Sequence, residues 1–125
     1  TLNESVELIM QFKEIGADFV SVSVGFNTPD ANIPWGPAFL APIAKRVRDE
    51  AGIPVATAWG VDTPELANDT VKNEQLDVVM VGRMHLTNPH WTYFAAKQLG
   101  VEKPSWVMPA PYAHWLERYA PSDER

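Results

Sequence analysis

With 125 residues, 46% of them hydrophobic and 21% charged, the chain has the composition of a folded domain, which excludes a disordered or low-complexity tail. A formal charge of −6 leaves no broad basic face for a phosphodiester backbone, so nucleic acid is not an expected partner, and no apolar run approaches the roughly 18 residues of a membrane span. Without cysteine there are no disulfides, thiolate metal sites or redox thiols, and the expected compartment is the reducing cytoplasm.

The chain opens with Thr1 and Glu4 at capping-box spacing, followed by Leu8, Phe12 and Ile15 at i, i+4 and i+7 and by Gly16 at a C′ position, which predicts one amphipathic helix. Phe19 to Gly25 then alternates apolar and small polar residues over a β-branched run, the pattern of a strand ending on glycine. The segment from Asn27 to Phe39 holds Pro29, Pro34, Trp35 and Pro37 and reads either as a stiff lid or as a spacer.

A second round follows. Pro37 suits a first helical turn, Leu40, Ile43 and Val47 form an apolar stripe, Gly52 ends the helix, and Pro54 to Gly60 is the next strand. Within that helix Lys45, Arg46 and Arg48 precede Asp49 and Glu50, which reads as a solvated face. In the third round Thr63 and Pro64 serve as N-cap and N1, the helix runs to about Glu74, and Leu76 to Gly82 is a strand. A fourth helix is expected from about Asn88 to Gly100.

Strands separated by single helices run parallel, so the class is α/β. The strand-terminal glycines Gly25, Gly60 and Gly82 bracket the roughly 31-residue repeat of a (β/α)8 barrel of about 250 residues, though an open doubly wound sheet has the same local pattern. From Pro104 the texture changes to prolines and aromatics, and Tyr112, Trp115, Leu116 and Tyr119 at helical spacing predict a short docking helix, pressed on its own barrel or on another subunit. The expected division is residues 1–103 as barrel and 104–125 as tail.

Ligands in parallel α/β proteins sit at the C-terminal ends of strands, and barrels often hold phosphate after strands 7 and 8. Ala58-Trp59-Gly60 and Gly82-Arg83 stand at two such ends, where glycine lets backbone N–H groups approach an anion and a guanidinium can bridge two phosphate oxygens. A Gly turn with a structural Arg explains the same residues equally well. Trp59 is either a pocket wall or a side chain packed under its loop. His85, His90 and His114 have no metal-ligand spacing, so no metal is assigned, and no GxSxG, Walker or GxGxxG motif is present.

The stretches NIPWGPAF, ATAWG, VGRMHLTNPHW and PAPYAHWLERY together resemble the C-terminal part of the old yellow enzyme family, most closely its xenobiotic reductase branch. The resemblance implies a (β/α)8 TIM barrel, here about strands 6 to 8 with their helices, that holds FMN and uses NADPH or NADH to reduce activated C=C bonds in enones and nitro compounds. It places Ala58, Trp59, Gly60, Gly82 and Arg83 at the FMN, Trp59 on the substrate side, and Trp115 as a tail aromatic reaching a neighbouring subunit's site in a dimer. The family's substrate-oxygen His or Asn pair, proton-donating tyrosine and strand 5 arginine have no match, so no catalytic residue is assigned here.

The same resemblance implies a complementary N-terminal barrel portion, with this chain a fragment, nicked product or split half whose sheet alone would keep two open edges. Two other readings stand beside the FMN-dependent ene-reductase. One is a non-catalytic phosphate-binding or dimerising half-barrel module, and the other is a phosphate-ester or FMN barrel of the dihydroorotate dehydrogenase type.

Overall fold

The computed structural model describes residues 1–25 and 29–122. Its elements are α1 (Leu2–Glu14), β1 (Val20–Val22), α2 (Ala41–Ala51), β2 (Val55–Thr57), α3 (Pro64–Lys72), β3 (Val78–Val79), α4 (Arg83–Thr87), α5 (Trp91–Gln98), a 3-10 turn (Pro104–Val107) and α6 (Ala110–Leu116). They form two compact units, residues Thr1–Gly82 and Arg83–Arg125. Among the described residues no helix is long and apolar enough to cross a membrane.

In the first unit the three strands lie in the order β1-β2-β3, all parallel, with Val20 opposite Val55 and Ala56 opposite Val78. Helices between successive strands impose this, because a parallel neighbour can be reached only by a crossover. The mixed α/β class expected from the helix–strand alternation is therefore present as a small parallel sheet. Its strands are two or three residues long, well inside the seven-residue runs expected, because the ladder covers only the stretches in which neighbours face each other.

The helices cover one sheet face. Val6 of α1, Val22 of β1, Ala44, Val47 and Ala51 of α2, Val55 of β2, and Ile53 and Leu76 from the connections make the principal core. On the edge strand β3, Val78 is 50% exposed and Met80, just beyond it, 44%, whereas Ala56, opposite Val78 on the central strand, is fully buried.

The capping box at Thr1 and Glu4 forms as the spacing required, and Thr63 accepts from the Leu66 N–H at 3.3 Å at the start of α3. Lys45 and Arg46 pair with Asp49 and Glu50 one turn on, as a solvated helix face should. Two expectations are corrected. Pro37 lies before the helix, and the proline in the first turn of α2 is Pro42, because Leu40 takes the N-cap place and Gly60 binds the Ala38 backbone instead. In α1 the buried stripe is Val6, flanked by Leu2 and Ile9, whereas Leu8, Phe12 and Ile15 are 48%, 45% and 82% exposed.

The second unit opens on α4, a short helix ahead of the one expected from about Asn88, which is present as α5. Pro89 divides them, since its ring forbids the helical hydrogen bond at that point, and the Asn88 side chain receives the His90 N–H at 3.0 Å. The tail helix appears as α6 and stops at Leu116, before Tyr119.

Candidate functional site

Two strands of the first unit, β2 and β3, end at the segments where the sequence places candidate ligand contacts. After β2 the chain passes through Ala58 into Trp59 and Gly60, both in the left-handed region at φ 70° and 67°. Thr57 fixes the preceding strand end: its hydroxyl is buried and donates to the Val22 carbonyl at 2.8 Å, joining the C-terminal ends of β1 and β2. After β3 the chain runs through Met80, whose N–H donates to the Thr57 carbonyl at 3.0 Å, to Gly82 and then Arg83.

The glycines at these two ends have different surroundings. A Cβ at Gly60 would lie 2.4 Å from the Gly36 carbonyl oxygen and 3.0 Å from the Ala38 nitrogen, so the missing side chain admits the segment before α2. A Cβ at Gly82 would meet nothing within 4 Å. The ground around Gly82 is therefore open to a ligand, whereas the side-chain space of Gly60 is filled by the protein's own backbone.

Trp59 stands at this end, 37% exposed, with its ring 5.6 Å from that of Trp35 and the planes tilted by 59°. Trp35 in turn meets Phe39 edge-on at 5.3 Å. An indole here is neither wholly folded under its loop nor detached from it. The segment expected as lid or spacer packs across the end of β2 from Trp35 onward, while its Asn27 and Thr28 fall outside the described residues. The Trp35–Trp59 pairing has no signal in the sequence; the close approach behind it depends on Gly60, where a Cβ would collide with the Gly36 carbonyl.

At the opposite ends of the strands the contacts are structural. Asp77 accepts from Arg48 Nε at 3.1 Å and from the Val55 N–H at 2.9 Å, and Lys13 Nζ donates to the Gly52 carbonyl at 2.6 Å, closing the C-terminal end of α2.

In the second unit, α5 and α6 enclose an apolar groove of about 590 Å³. His90, Tyr93 and Phe94 line one side, and Met108, Tyr112, Trp115 and Leu116 the other. Trp115 is 71% exposed and Tyr112 63%, while Ala113 is the buried residue of α6. The tail helix thus buries Ala113 in its own unit and leaves Tyr112 and Trp115 largely exposed along the groove. Among the described residues no three His, Asp or Glu side chains converge as a metal site would require.

No family model matches the chain. It is similar to an NADPH dehydrogenase of Geobacillus thermodenitrificans (strain NG80-2), 38% identical over 102 residues that make up 82% of this chain and 30% of that protein. It is also similar to NADPH dehydrogenases of Geobacillus sp. (strain WCH70), 34% identical over 80% of this chain and 29% of that protein, and of Halalkalibacterium halodurans, 32% identical over 79% and 29%. The chain therefore spans about three tenths of the length of the curated relatives it matches.

Proposed function

We propose that this chain is the FMN-phosphate side of a (β/α)8 flavoprotein of the old yellow enzyme type that uses NADPH or NADH to reduce activated C=C bonds. In this reading residues 1–103 supply about strands 6 to 8 with their helices, residues 104–125 form a docking tail, and the remaining barrel strands come from a complementary N-terminal portion. The observation that carries it is the similarity to NADPH dehydrogenases over four fifths of the chain, coupled to two glycine-bearing ends on neighbouring parallel strands.

Gly82 and Arg83 would hold the phosphate, the open ground at Gly82 admitting its oxygens to backbone N–H groups and the guanidinium matching two of them. Ala58, Trp59 and Gly60 line the adjacent strand end, with Trp59 on the substrate side. When bound, the flavin supplies the hydride chemistry; the residues of this chain anchor and orient it and keep one wall dry. Trp115, outward on α6, reaches toward the site of a neighbouring subunit in a homodimer.

Native mass spectrometry of the complete protein, followed by NADPH oxidation with 2-cyclohexenone, tests this reading. A flavin-bearing dimer that oxidises NADPH only when the enone is present supports it. A colourless, inactive assembly would leave the phosphate-binding or dimerising module instead.

A further inference from the structure

The strained backbone at the end of β2 is held from outside its own strand. Trp59, a bulky non-glycine residue, has φ 70°, and Ala38 across the junction has φ 47°. Such conformations are costly for a residue with a Cβ and persist only where the surroundings impose them.

Three contacts impose this one. The Ala38 N–H donates to the Gly60 carbonyl at 2.9 Å. The Gly36 carbonyl occupies the space that a side chain on Gly60 would need, so the two backbones lie in contact. The Trp35 indole packs against that of Trp59 at 5.6 Å and is itself braced edge-on by Phe39 at 5.3 Å, both within the favourable range for aromatic pairs. Two of the three fix backbone position. The third, the indole pair, acts on the direction in which the Trp59 side chain leaves the strand.

We propose that Trp35 is a positioning residue for Trp59: braced by Phe39 and anchored by the Gly36–Gly60 backbone junction, its indole sets the orientation of Trp59 and so the width of the wall that Trp59 presents at the end of β2. The consequence for substrate rests on the reading of Trp59 as a substrate-side residue; the pairing itself does not. Trp35 acts through its neighbour. A smaller apolar residue at Trp35 removes this brace from Trp59, so loss of the indole alters the wall and weakens the hold on small planar substrates.

The test is a double-mutant cycle in the complete protein with Trp35→Leu, Trp59→Leu and both together, read by near-ultraviolet circular dichroism and by steady-state kinetics with 2-cyclohexenone. Two indoles this close couple, so each single variant is expected to lose the same band and the double variant to lose no more. KM is expected to rise about fivefold in Trp35→Leu with kcat within about twofold, with no additional rise in the double variant over Trp59→Leu. Trp35→Phe, which keeps a ring and guards against misfolding of the leucine variant, should return KM toward wild type.

A dichroism band that survives Trp35→Leu, or KM effects that multiply in the double variant, would overturn the proposal. Wild-type protein that binds flavin but ignores the enone overturns the substrate role of Trp59, and the dichroism cycle alone then decides the pairing.

Discussion

Asp77, at the entry to β3, accepts a hydrogen bond from the backbone N–H of Val55, at the entry to β2, with its other bonds coming from Arg48 Nε. One carboxylate thereby sets the register of two strands and ties α2 to them. The Arg48–Asp77 pair is about one third exposed on both sides, so solvent screens it, whereas the Val55 N–H is part-buried and has this oxygen as acceptor. Asp77→Ala is expected to destabilise the protein by about 1–3 kcal/mol and Arg48→Ala by less than about 1 kcal/mol, read from urea midpoints at constant slope. Equal losses would mean that the ion pair, and not the backbone contact, carries the junction.

The two strand-end glycines separate folding from binding. Gly60→Ala places a methyl group against the Gly36 carbonyl at φ 67° and is expected to cost about 1–3 kcal/mol, seen as a lowered melting temperature. Gly82→Ala meets no atom, so its melting temperature in the flavin-free protein should stay near wild type. If Gly82 faces the flavin phosphate, the same substitution weakens FMN about tenfold, which is about 1.4 kcal/mol, measurable by fluorescence titration.

The flank of α1 that bears Leu8, Phe12 and Ile15 is apolar and exposed within this unit. If the rest of a barrel covers it, Phe12→Asp buries an unpaired charge in the complete protein and lowers its stability by about 2–4 kcal/mol. Phe12→Asp that unfolds at the wild-type denaturant concentration would show that this flank stays in water, against the complementary barrel portion.

Trp115 makes its largest exposed surface on a helix held to its unit by Ala113. If the proposed function holds and this side chain reaches a neighbouring subunit's site, Trp115→Ala should leave the melting temperature and the bound flavin unchanged while altering KM for bulky enones by about threefold or more. Identical kinetics with both small and bulky enones would remove Trp115 from the site.

Local chemistry made much of the fold legible. A capping box at Thr1 and Glu4, the Thr63-Pro64 start of α3 and the left-handed Gly52 after α2 are decided within a few residues, so spacing alone reveals them. Helix–strand alternation likewise leaves parallel pairing as the only short solution. The strand-end positions of Ala58 to Gly60 and of Gly82 follow from the same alternation, and so does their candidacy as ligand contacts.

Other features depend on what lies across the fold. α1 carries two apolar stripes at equally good helical spacing, and the choice of Val6 with Leu2 and Ile9 over Leu8 with Phe12 was made by α2 and β1, which offer a surface to one stripe only. The meeting of Trp35 with Trp59, 24 positions apart, depends on the close approach of Gly36 and Gly60 and has no counterpart in local spacing. By itself the sequence determined the alternation of helices and strands in the first unit and that the strands run parallel, because these follow from short-range sterics and hydrogen bonding. Only the tertiary structure decided which apolar face is buried, which glycine is filled by backbone and which left open, and which aromatic braces another, because each depends on the packing of residues far apart in the chain.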